Sequence, residues 1–189
     1  MPKLNNDMRA QIINAAHRIL AEQGYDATTI KAIAQAAGVA PGLVHYYFAN
    51  KEALLIAVLK EASTQYTQAM QQLPAASDSQ LAEAGLAEPR RRVTQQPAWY
   101  RLRYELFALG LRNHALEQGT SDLLANGRAG IRTLIERLTQ GERDPQQDEA
   151  LAAILLACFD GLALQQLVDP TFDLDRAYAM VTEMAQRAV

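Results

Sequence analysis

Residues that can do acid–base or metal chemistry are few in this sequence and widely spaced. The chain of 189 residues has three histidines and a single cysteine, Cys158. Metal sites need several such ligands at short spacings, and no such group is present. Cys158 near Asp160, or His114 with Glu105, would form the pairs that an acid–base enzyme needs, but no catalytic motif surrounds either pair. We therefore predict no catalytic residue, no metal site and no cofactor.

A second set of polar side chains has the types that contact nucleic acid. The stretch from Thr28 to Leu54 reads TTIKAIAQAAGVAPGLVHYYFANKEAL and contains hydroxyl groups, lysines, a histidine and two adjacent tyrosines. Hydroxyl and amino groups hold phosphate oxygens, whereas polar side chains on an exposed helix read base edges. This stretch therefore indicates DNA contact, provided that a helix presents these groups outward.

Two short helices joined by a tight turn are predicted to position them. Apolar residues from Ile30 to Ala37 recur at the spacing of one helix face, and Thr28 or Thr29 can cap the start. Gly38 suits the left-handed residue that ends a helix, and Pro41 suits the first position of the next. A short helix, a glycine turn and a second short helix with a free outer face form a helix-turn-helix.

Neighbouring helices are predicted to support this pair. The first helix runs from Met8 to Gln23 and ends at Gly24. Asn50 can cap a long helix from Lys51 to about Leu73, which connects the first 53 residues to the rest of the chain.

The same stretch resembles the DNA-binding region of the tetracycline-repressor (TetR) family. The matching residues, which lie between Arg9 and Leu54, are Gly24-Tyr25, Thr28-Thr29, Ile33-Ala34, Ala37-Gly38-Val39, Gly42, Tyr47-Phe48 and Lys51-Glu52-Ala53-Leu54. Ala40 stands where the family usually has Ser, and His45 stands where Tyr is usual. The resemblance implies an all-α protein with two domains. A three-helix helix-turn-helix domain (1–53) is joined by a long helix to an α-helical effector-binding and dimerisation domain (54–189).

The predicted DNA interface has a base-reading part and a phosphate-holding part. The residues expected near base edges in the major groove are Pro41, Gly42, Leu43, His45 and Tyr46. The residues expected to hold phosphates are Thr28 or Thr29, Lys31, Tyr47 and Lys51. Lys51 is the strongest of these, because a cation in the first turn of a helix opposes the helix dipole. Residues 1–60 carry a net charge of +2 within a chain of net charge −3, which agrees with local nucleic-acid contact.

The rest of the chain is predicted to contain an effector pocket. A short helix from Leu81 to Ala87 is expected to break at Pro89, and a broadly apolar helix is expected over Ala98–Leu116. The candidate pocket residues are Tyr66, Met70, Trp99, Arg103, Tyr104, Phe107, His114 and Phe159. For any one of these residues core packing is favoured over pocket lining, whereas a pocket somewhere in this part of the chain is expected.

Two C-terminal helices have surplus apolar surface. Asp148 to Val168 is apolar on two sides, and a last helix begins at Asp173 or Asp175. They suggest a four-helix interface between two copies of the chain, as the family resemblance also implies. The candidate interface residues are Leu151, Leu155, Cys158, Leu162, Tyr178 and Val181.

Together these features predict a ligand-responsive transcriptional regulator, by family default a repressor. Its expected partners are a palindromic double-stranded DNA operator, an unidentified small-molecule effector and a second copy of the chain, with no membrane. We expect a cytoplasmic protein, because the N-terminus lacks a signal peptide's apolar segment and one cysteine allows no internal disulfide. An activator, a helical adaptor that has lost DNA affinity and, less favoured, an enzyme remain alternatives.

Overall fold

The computed structural model describes residues 2–71 and 78–188, and every regular element within these ranges is an α-helix. The helices are α1 (Pro2–Ala27), α2 (Ile30–Ala36), α3 (Pro41–Tyr47), α4 (Lys51–Gln71), α5 (Asp78–Gln95), α6 (Pro97–Gly110), α7 (His114–Leu138), α8 (Pro145–Val168) and α9 (Leu174–Ala188). The prediction of an all-α fold with an N-terminal helix-turn-helix is confirmed. The break expected at Gly24 is also present, since this residue has φ 80° inside α1.

The described chain divides into two structural units. The first contains the residues up to Ala62 together with Arg101–Leu123, and the second contains the remainder. Helices α4, α6 and α7 therefore each contribute residues to both units. The domain boundary predicted after residue 53 stays a prediction.

The core of the first unit comes from the apolar faces that the sequence predicts for α1 to α4. Ile12, Leu20 and Leu54 are fully buried, and so are Ile33 of α2 and Val44 of α3. A small bundle of this kind stabilises α2 and α3, which are too short to be stable alone. The helix-turn-helix is thus held by packing within this bundle, in which α2 contacts α1.

Helix α5 differs from the prediction, because it continues through Pro89. Contacts within α5 and with α6 surround the proline. The Arg92 Nη2 atom lies 2.6 Å from the Glu88 Oε1 atom, and the Arg92 guanidinium carbon lies 4.7 Å from the centre of the Trp99 ring. The Tyr100 hydroxyl donates to the Pro89 carbonyl at 3.4 Å. Burial acts to raise the pKa of Glu88, but hydrogen bonds and charge from Arg91 and Arg92 hold it below its ordinary value.

The single helix predicted over Ala98–Leu116 is in fact two helices. Helix α6 ends at Gly110, and the Asn113 side chain accepts a hydrogen bond from the Ala115 amide at 3.0 Å, which caps α7. The two helices cross closely at Gly110, where a Cβ would lie 2.2 Å from the Thr120 Oγ1 atom. Thr120 is buried, and its hydroxyl donates to the Leu106 and Leu116 carbonyls.

Gly110→Ala should lower the free energy of unfolding by about 1–3 kcal/mol, because the added methyl group overlaps a buried, hydrogen-bonded threonine. Gly42→Ala is the matched control, since no described atom lies within 4 Å of its Cβ position. It should change stability by less than about 1 kcal/mol. Urea unfolding followed by circular dichroism measures both. Equal effects at the two glycines would contradict the close crossing.

Arg92→Ala should lower the free energy of unfolding by about 3 kcal/mol, because it removes a buried cation from the Glu88 carboxylate and the Trp99 ring. Arg91 contacts the same carboxylate from an exposed position, its side chain being 55% accessible. Arg91→Ala should therefore cost less than about 1 kcal/mol. The same unfolding measurement compares them, and an Arg91 effect as large as the Arg92 effect would contradict this assignment.

Candidate nucleic-acid interface

The turn between α2 and α3 has the geometry that the sequence predicts. The Thr29 Oγ1 atom accepts a hydrogen bond from the Ala32 amide at 3.1 Å and so caps α2. Gly38 has φ 65°, and the Val39 amide donates to the Ala34 carbonyl at 2.9 Å. This arrangement ends α2 with a left-handed residue, as glycine permits. The turn therefore fixes the orientation of α3 relative to α2.

Helix α1 holds the end of α2 through two side chains. The Gln11 Nε2 atom donates to the Ala37 carbonyl at 2.7 Å, and the Arg18 Nη2 atom donates to the Ala36 carbonyl at 3.3 Å. Val44 and Phe48 are buried, 0% and 3% exposed, and anchor α3 from its inner side. The helix-turn-helix is therefore fixed by packing and by hydrogen bonds to its last carbonyls.

The outer face of α3 carries the groups predicted to read bases. Pro41, Gly42, His45 and Tyr46 are exposed, and Leu43 is half-buried. Tyr46 is 73% exposed, although its ring packs edge-on against the Tyr47 ring with centroids 5.1 Å apart. Contact between the two rings limits the orientations of an otherwise free tyrosine. Helix α3 therefore presents an aromatic hydroxyl, an imidazole and an apolar first turn outward.

Two of the predicted phosphate-holding residues are on the surface and a third is not. Thr29 and Lys31 are exposed, and Tyr47 is half-buried. Thr28 is fully buried, and its hydroxyl donates to the Gly24 carbonyl at 2.8 Å. The prediction that offered Thr28 or Thr29 is therefore corrected to Thr29. The Thr28 side chain satisfies a carbonyl at the break in α1.

Lys51 has an internal role that its position in sequence does not reveal. Its Nζ atom donates to the Tyr25 carbonyl at 2.9 Å and lies 3.5 Å from the centre of the Tyr25 ring. Burial lowers the pKa of Lys51, although the charges of Asp26 and Glu52 favour the cation. The Asn50 side chain caps α4, accepting from the Ala53 amide at 2.8 Å. Lys51 thus ties the start of α4 to the end of α1, and phosphate contact remains only a prediction for it.

Three of the predicted pocket residues stay predictions. The side chains of Tyr66 and Met70 lie outside the described part of the structure. His114 is 97% exposed at the start of α7 and pairs with Glu117. A role in effector binding is therefore neither confirmed nor corrected for these residues.

The other five candidate pocket residues make packing contacts within their own units. In the first unit the buried Arg103 guanidinium carbon lies 4.6 Å from the Phe107 ring centre, and the Tyr104 and Phe107 rings meet edge-on. In the second unit Trp99 contacts Arg92, and Phe159 stacks on Tyr178 with centroids 5.9 Å apart. Their role in effector binding stays a prediction.

Three residues predicted at the dimer interface are buried inside the protomer. Leu155, Tyr178 and Val181 are between 3% and 8% exposed, and the Tyr178 ring stacks on Phe159 of α8. This part of the prediction is corrected. Leu151, Cys158 and Leu162 are half-buried.

A different apolar surface of α8 is exposed and was missed from the sequence. We call it the α8 seam; its residues, spaced alternately three and four apart, are Ile154, Ala157, Gly161, Leu164 and Val168. Met180 and Met184 of α9 are also exposed, 56% and 58%. The spacing itself is the signal that could have identified the seam.

Helix α8 is long and apolar enough, by length and composition, to cross a membrane. A single such helix is weak evidence for a membrane span. Its composition here follows from two apolar faces, one buried against its neighbours and one forming the α8 seam.

Among the residues that the structure describes, no group of three or more His, Cys, Asp or Glu side chains is placed to hold a metal ion.

Comparison with known proteins identifies relatives of both halves of the chain. Residues 12–58 match a family model described as bacterial regulatory proteins, tetR family. Residues 80–189 match one described as BetI-type transcriptional repressor, C-terminal. The HTH-type transcriptional repressor Rv1474c of Mycobacterium tuberculosis is 30% identical over 169 residues, which cover 86% of each chain.

Other relatives match a shorter part. The fatty acid metabolism regulator protein of Bacillus subtilis is 44% identical over 62 residues, 33% of this chain and 32% of its own length. The chain therefore spans about a third of the length of this curated relative. Among solved structures, the multidrug binding protein EbrR complexed with ethidium is 27% identical with a TM-score of 0.70, covering 93% of this chain and 97% of that one. The chain belongs to the TetR family of transcriptional regulators.

Proposed function

We propose that this protein is a ligand-responsive transcriptional repressor that binds a palindromic operator as a dimer. The observation that carries the proposal is the exposed face of α3, where His45 and Tyr46 project from a helix anchored by Val44 and Phe48. A short helix held in this way at the surface can enter the major groove with its first turns near base edges. The family membership of the chain supports the same reading.

Base reading would depend on few polar groups. The Tyr46 hydroxyl and the His45 imidazole can exchange hydrogen bonds with base edges, and Pro41 and Leu43 suit apolar contact with thymine methyl groups. Lys31, Thr29 and Tyr47 would hold phosphates on either side. Ala40 provides no side-chain cap, Pro41 has no amide hydrogen, and the Leu43 amide donates to the Ala40 carbonyl at 2.9 Å. The Gly42 amide would therefore be the one that solvent or a phosphate oxygen satisfies.

Dimerisation would bring two helix-turn-helix domains to one operator. The α8 seam offers an exposed apolar strip with small residues, Ala157 and Gly161, at its centre. No described atom lies within 4 Å of the Cβ position at Gly161, so a second helix can approach there closely. Met180 and Met184 extend the apolar surface onto α9. Two copies would form a four-helix interface and place their α3 helices about 34–36 Å apart, one turn of DNA.

An effector would act by stabilising a state whose two α3 helices no longer match that spacing. Such release requires the effector to bind that state more tightly than the DNA-bound state. EbrR, whose solved structure holds ethidium, supports a small organic molecule as the class of effector. We place it in the domain proposed after residue 53, and we place the whole protein in the cytoplasm.

An adaptor without DNA affinity is the second candidate. Two observations support it. Lys51 is engaged with Tyr25 and Thr28 is buried, so two groups near the recognition helix contribute less to phosphate contact than their types suggest. Sequence-specific DNA binding separates the two functions, because only the repressor has it.

Tyr46→Ala and His45→Ala should each weaken binding to the operator by about 1–3 kcal/mol and leave binding to random duplex unchanged, because they remove base contacts. Lys31→Ala should weaken binding to both DNAs alike and reduce the salt slope by about one. Lys60→Ala is the matched control, since it removes the same charge from an exposed site outside the proposed interface. Fluorescence anisotropy with duplex from upstream of the coding region, over a salt series, measures all four.

Two results would contradict the proposal. If Lys60→Ala weakened binding as much as Lys31→Ala, bulk charge would account for affinity. If wild-type protein bound no known or selected duplex better than random DNA, the repressor function would be wrong and the adaptor favoured. Lys51→Ala is unsuited to this test, because loss of the Tyr25 contacts would also destabilise the helix-turn-helix domain.

Leu164→Glu should convert the protein from dimer to monomer at micromolar concentration, because it places a charge in the α8 seam. Leu111→Glu is the matched control, since Leu111 is 88% exposed in the connection between α6 and α7. Analytical ultracentrifugation measures the mass of each. A monomeric wild-type protein, or a Leu164→Glu protein that remains dimeric, would exclude the seam as the interface.

A further inference from the structure

Two adjacent tyrosines at the end of α3 make a ring contact that the phosphate contact proposed for Tyr47 does not explain. The Tyr46 and Tyr47 ring centroids lie 5.1 Å apart, and the two planes are inclined at 86°. The edge of one ring therefore meets the face of the other, which is favourable because the edge is electropositive and the face electronegative. Both residues belong to α3, so the contact lies entirely within the first unit.

The two rings differ in how firmly each is held. Tyr46 is 73% exposed, so water surrounds most of its side chain, whereas Tyr47 is half-buried. Tyr47 directly precedes Phe48, which is 3% exposed and whose amide donates to the Val44 carbonyl at 2.9 Å. Tyr47 is therefore the more restricted of the pair, and the ring contact passes part of this restriction to Tyr46.

The orientation of Tyr46 matters because its hydroxyl lies at the far end of the side chain. A tyrosine on a helix has two common χ1 rotamers, since the third clashes with the preceding turn. An aromatic pair of ordinary strength favours the rotamer that makes the contact by about fivefold. A hydrogen bond to a base edge weakens steeply when its geometry is displaced, so a side chain that is ordered before binding loses less freedom on binding.

We propose that Tyr47 is a positioning residue for base reading, whose ring holds the Tyr46 side chain in the orientation from which the Tyr46 hydroxyl reaches a base edge. Tyr47 then has two separable functions, because its hydroxyl would contact a phosphate and its ring orders Tyr46. Loss of the hydroxyl weakens binding to every duplex alike, whereas loss of the ring reduces discrimination between bases. This inference rests on the proposed function, because it assigns a specificity role within the same interface.

Binding of the protein to its operator, and to operators with one base pair changed in one half-site, tests the proposal. The base pair read by Tyr46 is the one whose change weakens binding of the wild type but not of Tyr46→Ala. The base pair read by His45 is found in the same way with His45→Ala. For each protein, the Kd for the changed operator divided by the Kd for the operator measures discrimination, and this ratio does not depend on the fraction of protein that is folded.

We expect Tyr47→Leu, which keeps an apolar side chain but removes the ring, to lower discrimination at the Tyr46 base pair by about fivefold. Discrimination at the His45 base pair should stay within about twofold of wild type. Tyr47→Phe is the matched control, because it keeps the ring and removes only the hydroxyl. It should weaken binding to all duplexes while both ratios stay within about twofold of wild type.

Three results would overturn the proposal. Unchanged discrimination at the Tyr46 base pair in Tyr47→Leu would show that the ring does not position Tyr46. Equal losses at the Tyr46 and His45 base pairs would show that the substitution damages α3 as a whole. An NMR spectrum of the wild-type protein without DNA that has no cross-peak between protons of the two rings would show that the contact is absent, and this measurement needs no variant that folds.

Failure of the repressor function is recognised separately. A wild-type protein that prefers no duplex would contradict that function, and the proposal would fall with it because there would be no base reading for Tyr47 to support. A wild-type protein that discriminates at the Tyr46 base pair, combined with any of the three results above, would leave the repressor function in place and remove only the role of the Tyr47 ring.

Discussion

Anchoring of α3 by Val44 and Phe48 is the interaction on which the proposed interface depends. A helix of seven residues has too few internal hydrogen bonds to persist in water, so its structure must come from packing. Both anchors are buried, while His45 and Tyr46, which lie between them in sequence, are exposed. The two buried residues therefore flank the exposed ones in sequence, which gives the helix one fixed face and one free face. Every base contact proposed with DNA depends on this division.

The N-terminal helices were predictable because their signals are local. Thr29 and Asn50 cap helices, Gly38 ends one and Pro41 begins one, and each effect depends on only a few neighbouring residues. The helices that follow were harder for the opposite reason. Pro89 lies within α5, where Trp99 and Tyr100 of α6 make contacts that no local pattern contains.

The apolar faces of α8 show a second limit of sequence reasoning. Periodicity reveals that the helix has two apolar sides, but it does not say which side faces the same protomer. Leu155 was assigned to the interface and lies inside, whereas its neighbour Ile154 is 57% exposed. Thr28 and Lys51 show the same limit for polar groups, since their types suit phosphate but their atoms satisfy the carbonyls of Gly24 and Tyr25. Residue type indicates what a side chain can bind, and only the fold decides whether it is available.

Selection of binding sites from random duplex DNA with the purified wild-type protein tests the central claim most directly. A dimer that presents two α3 helices about one helical turn apart should enrich an inverted repeat whose half-site centres are about 10 base pairs apart. Enrichment of such a palindrome is the result that this account predicts. Enrichment of a single unpaired site, or of no sequence at all, would contradict it.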